Sequence, residues 1–290
     1  ELNMKKKFSY SASDELSRPR KFIVNSIEKI SGRKKLEKLY ESYDEETRDP
    51  HLFWSDVKDL LKLKINIKSR IKFNIPKKGP LIIIANHPFG IIDGLILGYI
   101  MSKSRKDFKI LAHKVFCKSV ELNNVILPIS FDETKEASKL NIQTRGSALD
   151  FLNSGGAVGI FPGGTVSTSL TPFSKPMDPS WRSFTAKMIT KSGARVVPIF
   201  FEGHNSLTFQ LASHINYNIR MGLLIREFKK KIDSPVRICI GKPLSGYKIK
   251  SRSSDPRILM DFLREETYKL SQNSFKNFDY GFEFESRYKL

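Results

Sequence analysis

The sequence predicts an α/β fold in which a mixed, mostly parallel sheet is flanked by helices. Each of three short apolar runs is followed within three residues by glycine or proline, a pattern typical of strands buried on both faces. These runs are LIIIA from Leu81, AVGIF from Ala157 and ARVVPIFF from Ala194. Helical patterns lie between them, and strands that alternate with helices favour a parallel sheet. With 290 residues, of which 40% are hydrophobic, the chain is long enough to bury a substantial core.

The N-terminal part of the chain is predicted to be helical and basic. Apolar residues recur there at helical spacing, as at Ile23, Ile27 and Ile30, among many lysines and arginines. Near the other end, Asp255-Pro256 is typical of a helix start, and an apolar stripe follows it through Ile258, Leu259, Phe262 and Leu263. We therefore expect a helical, membrane-facing segment at 1–58, an α/β core at 59–250, and a C-terminal helix with an aromatic tail packed on that core at 251–290.

The core is predicted to begin with the alternating stretch KLKINIKSRIKFNIP, residues 62–76. Period two indicates a strand or hairpin that is buried on one side only. Its other side carries a row of cations: Lys62, Lys64, Lys68, Arg70 and Lys72. This row is either a solvated strand face or a docking surface for an anionic partner.

The first buried run leads into a turn that carries a titratable pair. In IIIANHPFGIIDG, His87 follows the strand and Asp93 comes six positions later, near the start of a helix. A histidine can take and return a proton near neutral pH, and a carboxylate on its second ring nitrogen fixes the tautomer. Such a pair supplies a base but no nucleophile, so the nucleophile would be a substrate hydroxyl. The alternatives are a structural histidine and a helix-capping aspartate.

The other two runs also end in polar turns. In IFPGGTVSTS, Gly163-Gly164 would let backbone N–H groups converge on an anion or a developing oxyanion, unless the turn is an ordinary strand exit. In FEGHNS, Asn205 follows the third run. Because ligands in open α/β sheets bind where strands end, we expect the three turns to share one edge of the sheet.

The composition narrows the classes of partner. The chain has 50 Lys and Arg against 30 Asp and Glu, a net charge of +20, which favours nucleic acid, an anionic membrane or an acidic carrier protein. No nucleic-acid-binding motif is visible, so nucleic acid is the distant alternative and is not expected. The histidines lack metal-ligand spacing and no GxSxG is present, so neither a metal site nor a serine hydrolase is predicted. Cys117 and Cys239 are predicted to be buried free thiols.

Taken together, the three turns resemble those of the glycerolipid acyltransferase superfamily, which includes lysophosphatidate acyltransferases. The family pattern is Asn-His, four residues and Asp, then Phe-Pro-Glu-Gly-Thr-Arg-Ser, then Val-Pro. Here the spacer has five residues, Pro88 to Ile92, and Gly163 and Val166 occupy the glutamate and arginine positions. In the family, those two side chains are associated with holding the acceptor, notably a glycerol phosphate. The sequence is still more similar to hemolysin-like enzymes that O-acylate lyso-ornithine lipids and related aminoacyl lipids.

The resemblance implies a membrane-associated acyltransferase. Its acyl donor would be an acyl carrier protein or CoA thioester, and its acceptor the hydroxyl of a lyso-lipid such as lyso-ornithine lipid; the alternative is lysophosphatidate acylation in phospholipid synthesis. The implied location is peripheral, at the cytoplasmic face of an anionic membrane, and no bound cofactor is implied.

The resemblance also implies roles for individual residues. His87 would be the catalytic base, Asp93 would orient it, and backbone amides around Gly163–Thr165 would stabilise the oxyanion. The implied substrate-binding residues are Asn86, Gly90, Phe161, Pro162, Gly163, Gly164, Thr165, Ser167, Pro198 and Asn205.

Overall fold

The computed structural model describes residues 52–68, 75–113, 122, 124–130, 134–273 and 275–284. The expectations for the N-terminal helices, for Arg70 and Lys72, and for Cys117 lie outside these residues. The division of the chain at 58/59 and 250/251 stays a prediction.

A seven-stranded sheet forms the centre of the described structure. The strands of the described chain, seven of which form this sheet, are β1 (Lys64–Lys68), β2 (Leu81–Ala85), β3 (Phe108–His113), β4 (Ile126–Ile129), β5 (Ala157–Ile160), β6 (Thr168–Ser169), β7 (Pro176–Met177), β8 (Arg195–Phe201) and β9 (Pro235–Ile240). The order in the large sheet is β1-β9-β8-β2-β5-β3-β4, while β6 and β7 form a separate two-stranded sheet. Neighbours in the large sheet are parallel except β8 and β9. The prediction of a mixed, mostly parallel sheet is confirmed.

Helices cover both faces of this sheet. They are α1 (Phe53–Leu60), α2 (Ile91–Ser104), α3 (Lys135–Asn153), α4 (Ser183–Ser192), α5 (Leu207–Ile215), α6 (Tyr217–Lys231), α7 (Gly246–Lys250) and α8 (Pro256–Tyr268). Alternate residues of β2 serve two separate cores, with Ile83 in one and Ile82 and Ile84 in the other. The apolar run of β2 is continuous because both of its faces are covered.

The two ends of the described chain fit the sequence pattern in part. In β1, Ile65 and Ile67 are half-buried while Lys64 and Lys68 are exposed, as the alternation predicts. Helix α8 begins at Pro256 and is capped by Asp255, whose carboxylate accepts the amide of Arg257 at 2.7 Å. The predicted apolar stripe is confirmed at Leu259, Phe262 and Leu263, which pack into one core, and is wrong at Ile258, which is 55% exposed. Thr267, four residues after Leu263, extends this buried face of the helix.

The strand order places the three polar turns together. Strands β5, β2 and β8 are adjacent and parallel, so their carboxyl ends meet at one edge of the sheet. The turns at 86–90, 161–167 and 202–206 therefore lie side by side, as predicted. Within the described ranges, no helix has both the length and the apolar character needed to cross a membrane.

Candidate active site

His87 and Asp93 meet at the carboxyl end of β2, where Nδ1 of the histidine lies 3.0 Å from Oδ2 of the aspartate. Helix α2 begins at Ile91, so Asp93 is the third residue of the helix, near its start as predicted. Gly90 takes a φ of +87°, a conformation that favours glycine, and turns the chain into the helix. The five-residue spacer thus still allows the pair to form.

The carboxylate of Asp93 is fixed from several sides. Its Oδ2 also accepts the amides of Phe89 at 2.8 Å and Gly90 at 2.9 Å, so the aspartate caps the helix as well as contacting His87. The side chain is completely buried, and this burial raises its pKa, although His87 and the two amides oppose the shift. The start of a helix favours negative charge, which supports the ionised form needed beside an imidazolium.

The ring of His87 has one side available to a substrate. Its side chain is 20% exposed and stacks on Phe161, with ring centroids 4.3 Å apart. Because Nδ1 faces Asp93, Nε2 is the nitrogen left to exchange a proton. Among the described residues, Nε2 has no hydrogen-bond partner.

A second buried carboxylate, Asp178, holds the backbone of His87. Its Oδ1 accepts the amide of His87 at 3.2 Å and the hydroxyl of Ser167, and its Oδ2 accepts the indole N–H of Trp181 at 2.9 Å. The amide of Ser167 in turn donates to the carbonyl of His87 at 2.8 Å. The motifs do not mark Asp178, because only the folded chain brings it against the turn that carries His87.

The glycine turn lies beside this carboxylate. A Cβ atom at Gly163 would lie 3.4 Å from Cβ of Asp178, so a glutamate there would place a second carboxylate against the first. The amide of Gly164 closes the turn by donating to the carbonyl of Phe161 at 3.0 Å. Within the described part of the chain, the amides of Gly163 and Thr165 have no acceptor. These two amides, and not that of Gly164, are the remaining candidates for an oxyanion site.

Three residues expected to bind substrate are instead engaged with the protein. The amide side chain of Asn86 joins β2 to β8, donating to the carbonyl of Phe201 at 3.0 Å and accepting its amide at 2.7 Å. Ser167 is buried and donates to Asp178. Pro198 is buried in the middle of β8, opposite Ile84. For these three, internal contacts already use the polar groups or cover the side chains, and a role in substrate binding stays a prediction.

The remaining expected residues stay near the edge of the sheet. Gly90 and Pro162 shape the turns and Phe161 supports the His87 ring, while Thr165 is half-buried and accepts from Arg220 at 3.3 Å. Asn205 is 1% exposed, and its side-chain oxygen and nitrogen have no partner among the described residues. Their roles in substrate binding stay predictions.

The buried Arg220 of α6 holds the far end of the glycine turn and is not marked by any motif. It donates to Oγ1 of Thr168 at 2.7 Å, to Oγ of Ser213 at 2.8 Å and to the carbonyl of Val166 at 2.9 Å. A guanidinium presents its donors in a rigid fork, so one side chain can fix several acceptors. Arg220 thereby ties the turn to helices α5 and α6.

Comparison with known proteins agrees with this geometry. A family model described as "Acyltransferase" matches residues 66–202, which contain both the His87–Asp93 pair and the glycine turn. The lyso-glycine lipid O-acyltransferase of Phocaeicola vulgatus is 27% identical, covering 73% of this chain and 75% of that protein. The protein of the same name from Bacteroides thetaiotaomicron is 26% identical, covering 86% and 90%.

The family model and the two relatives support the glycerolipid acyltransferase superfamily as the family of this chain. The acyltransferase also shows a structural likeness to the 1-acyl-sn-glycerophosphate acyltransferase PlsC of Thermotoga maritima. That match has 17% identity and a TM-score of 0.48, and covers 95% of this chain and 98% of the other.

In this acyltransferase, the position of the family arginine is apolar. Val166 is 6% exposed and packs with Phe209 and Leu224. A cation lies elsewhere near the catalytic turn: Nζ of Lys231 is 4.1 Å from the centroid of the Phe89 ring. Burial lowers the pKa of Lys231, while the nearby carboxylates of Asp93 and Glu227 oppose that shift. No sequence motif marks this lysine.

Proposed function

We propose that this acyltransferase moves a fatty acyl group from an acyl thioester to the hydroxyl of an aminoacyl lyso-lipid. The observation that carries the proposal is the 3.0 Å contact of His87 with Asp93 beside the glycine turn, which provides a base but no enzyme nucleophile. The names of the two similar O-acyltransferases favour an aminoacyl acceptor, with glycine as the first candidate and ornithine as the second. The apolar Val166 also argues against a phosphate at that position.

The chemistry follows from the roles of the pair. Nε2 of His87 removes the proton of the acceptor hydroxyl, whose oxygen attacks the thioester carbonyl. In this proposal the amides of Gly163 and Thr165 stabilise the resulting oxyanion. When the intermediate collapses, the C–S bond breaks and the thiolate takes the proton from the imidazolium. The products are an ester and a free thiol, and Asp93 keeps His87 in the required tautomer throughout.

The donor is proposed to be acyl carrier protein or CoA, and the acceptor to be reached at the cytoplasmic face of a membrane. Lys62, Lys64 and Lys68 lie on or beside β1 and are exposed. Each basic residue near an anionic surface contributes about 1 kcal/mol, so several must act together. The high net charge of the chain favours either an anionic bilayer or an acidic carrier protein.

The proposal is tested by offering the full chain a panel of acceptors. Lyso-glycine lipid, lyso-ornithine lipid and lysophosphatidate are each incubated with acyl carrier protein and CoA thioesters, and the diacyl products are measured by mass spectrometry. We expect an aminoacyl lyso-lipid to be acylated with a higher kcat/KM than lysophosphatidate.

His87→Ala tests the proposed role of His87 in the same assay. Loss of a general base lowers turnover by about 10²- to 10⁴-fold, while the circular dichroism spectrum should stay native because His87 is partly exposed. Preference for lysophosphatidate would contradict the proposed acceptor. Full turnover by folded His87→Ala would contradict the proposed mechanism.

A further inference from the structure

Several large apolar side chains of the acyltransferase are exposed close to the catalytic edge. They lie on the β6–β7 hairpin and on helices α5 and α6. We call them the apolar rim: Leu170, Phe173, Leu207, Ile215 and Tyr217, whose exposed fractions are 55%, 83%, 53%, 76% and 48%. Exposed apolar residues that cluster in this way usually mark an interaction surface.

Hydrogen bonds bring the hairpin against α5. The amide of Ser169 donates to Oε1 of Gln210 at 3.1 Å, and Nε2 of His214 lies 3.0 Å from the carbonyl oxygen of Ser169. Leu170 directly follows Ser169, and Ile215 directly follows His214. These two exposed side chains therefore extend from one hydrogen-bonded junction.

The other members adjoin the same junction. Leu207 is on the α5 face that carries Gln210 and His214, since the three are spaced by three and seven residues. The ring of His214 contacts Phe282 at 5.0 Å between centroids, Phe282 contacts Phe284 at 4.9 Å, and Phe284 contacts Tyr217 at 5.8 Å. The rim is thus a continuous surface, with Phe173 at the tip of the hairpin.

The rim is held in a fixed position relative to His87. The hairpin starts at Thr168, directly after Ser167, whose amide donates to the carbonyl of His87 at 2.8 Å. Arg220 contacts Thr168 and Ser213 together, at 2.7 and 2.8 Å, and so joins the hairpin to α5. A partner that binds the rim would therefore lie next to the catalytic histidine.

The charges of this region favour an anionic partner with an apolar interior. Residues 163–177 and 203–226, which supply the whole rim, contain no aspartate or glutamate. They do contain exposed cations, Lys175 and Arg226. The carboxylate of Glu283, which lies between Phe282 and Phe284, is paired with Arg182 at 2.6 Å. Exposed apolar side chains next to cations and a neutralised carboxylate are suited to insertion into a bilayer among anionic headgroups.

We propose that the apolar rim inserts into the lipid bilayer, so that the carboxyl edge of the sheet faces the membrane and His87 lies close to the headgroup layer. The inference rests on the proposed function, since an acceptor with a fatty chain resides in the bilayer. Side chains of this kind enter about 5–10 Å into the boundary between headgroups and acyl chains. The lyso-lipid then reaches His87 without leaving the membrane completely.

The test uses tryptophan as a depth probe in the full chain. Phe173→Trp is compared with Tyr247→Trp, because Tyr247 is equally exposed, at 82%, but lies on α7. Helix α7 follows β9, which runs antiparallel to β8, and the preceding Leu244 bonds to Val196 near the start of β8. The control therefore lies toward the opposite edge of the sheet. The native Trp54 and Trp181 are both 4% exposed and provide a constant background.

Both variants are mixed with phosphatidylethanolamine–phosphatidylglycerol vesicles that contain brominated phosphatidylcholine. We expect bromine to quench the added emission of Phe173→Trp and to leave that of Tyr247→Trp near its value in unbrominated vesicles. The double change Leu170→Ser with Phe173→Ser should weaken vesicle binding by about ten-fold, also at high salt, because apolar transfer is lost. Tyr247→Ser with Ile258→Ser should change it little.

The outcomes separate this inference from the proposed function. If the Phe173→Trp probe is not quenched in bound protein, or if both probes are quenched equally, insertion of the rim is overturned even if acyl transfer occurs. Quenching of the Phe173→Trp probe without acylation of any aminoacyl lyso-lipid would support the rim and reject the proposed acceptor. If the serine variant converts a dimer to a monomer and vesicle binding is unchanged, the rim binds a second copy and the inference is wrong.

Discussion

Two buried carboxylates hold His87, and they do so in different ways. Asp93 contacts the ring, and its other oxygen, Oδ1, has no partner among the described residues. Asp178 contacts the main chain, and both of its oxygens accept hydrogen bonds from neighbouring groups. Both side chains are fully buried, so burial alone does not distinguish a residue that tunes the base from one that positions its backbone. The difference lies in which atom of His87 each carboxylate contacts.

The largest effect is expected at Asp93. Asp93→Asn keeps the shape of the side chain but removes the charge that fixes the tautomer of His87 and stabilises its imidazolium. We expect kcat to fall by about 10³- to 10⁴-fold, as in other His–carboxylate pairs, with a smaller change in KM. Steady-state kinetics with the preferred acceptor measure the effect. Near-normal turnover would show that the two carboxylates do not differ as described.

Asp93→Asn should also differ from the parent protein in its free energy of unfolding. Burial raises the pKa of Asp93, so the charged form is disfavoured in the folded state and reduces stability at neutral pH. That cost disappears as the pH falls through the raised pKa, since the carboxyl then becomes neutral. We therefore expect Asp93→Asn to be at least as stable as the parent protein at neutral pH, and the difference to shrink in acid. Urea unfolding at several pH values measures this, and a less stable variant at neutral pH would contradict it.

Asp178→Asn should give a smaller loss of activity but a clear loss of stability. An asparagine presents an NH₂ group to at least one of the donors from His87, Ser167 and Trp181, which leaves buried donors unpaired. We expect the free energy of unfolding to fall by about 1–3 kcal/mol. Turnover should fall by roughly ten-fold because the histidine is misplaced.

The pH dependence of kcat in Asp178→Asn tests whether Asp178 only positions the backbone of His87 or also acts on its ring. Because Asp93 and the ring of His87 are unchanged in Asp178→Asn, the apparent pKa of the base should stay that of the parent protein. A shifted profile would mean that Asp178 acts on the ring and not only on the backbone.

The smallest effect is expected at Ser167, which donates one hydrogen bond to Asp178. Ser167→Ala leaves the other two donors of Asp178 in place, together with the backbone bond from residue 167 to His87. We expect a loss of about 1 kcal/mol in the free energy of unfolding and a change in kcat of less than roughly three-fold. A loss as large as that of Asp178→Asn would show that the hydroxyl, and not the carboxylate, controls the position of His87.

The site was predictable where its residues are close along the chain. His87 and Asp93 are six positions apart at a strand end, and a local turn is enough to join them. Residues that reach the site from distant elements could not be found in this way. Asp178 lies 91 positions from His87. Arg220 lies 52 positions from Thr168, and neither residue carries a motif.

The fold, like the site, was predictable from local sequence patterns but not where distant elements decide the packing. Continuous apolar runs predicted the buried strands, because a strand covered on both faces has no polar side to display. The predicted stripe of α8 was wrong at Ile258, because periodicity indicates that a helix has an apolar face but not which neighbour it packs against.

By itself, the sequence determined the α/β class, the three turns and the pairing of His87 with Asp93, since each depends on residues within a few positions of one another. Only the tertiary structure decided which polar groups remain available. The side chains of Asn86 and Ser167 are hydrogen-bonded to Phe201 and Asp178, respectively. His87, in contrast, is partly exposed and its Nε2 does not face Asp93. The physical reason is that a hydrogen-bond partner is chosen by proximity in space, and the sheet brings together groups that are far apart along the chain.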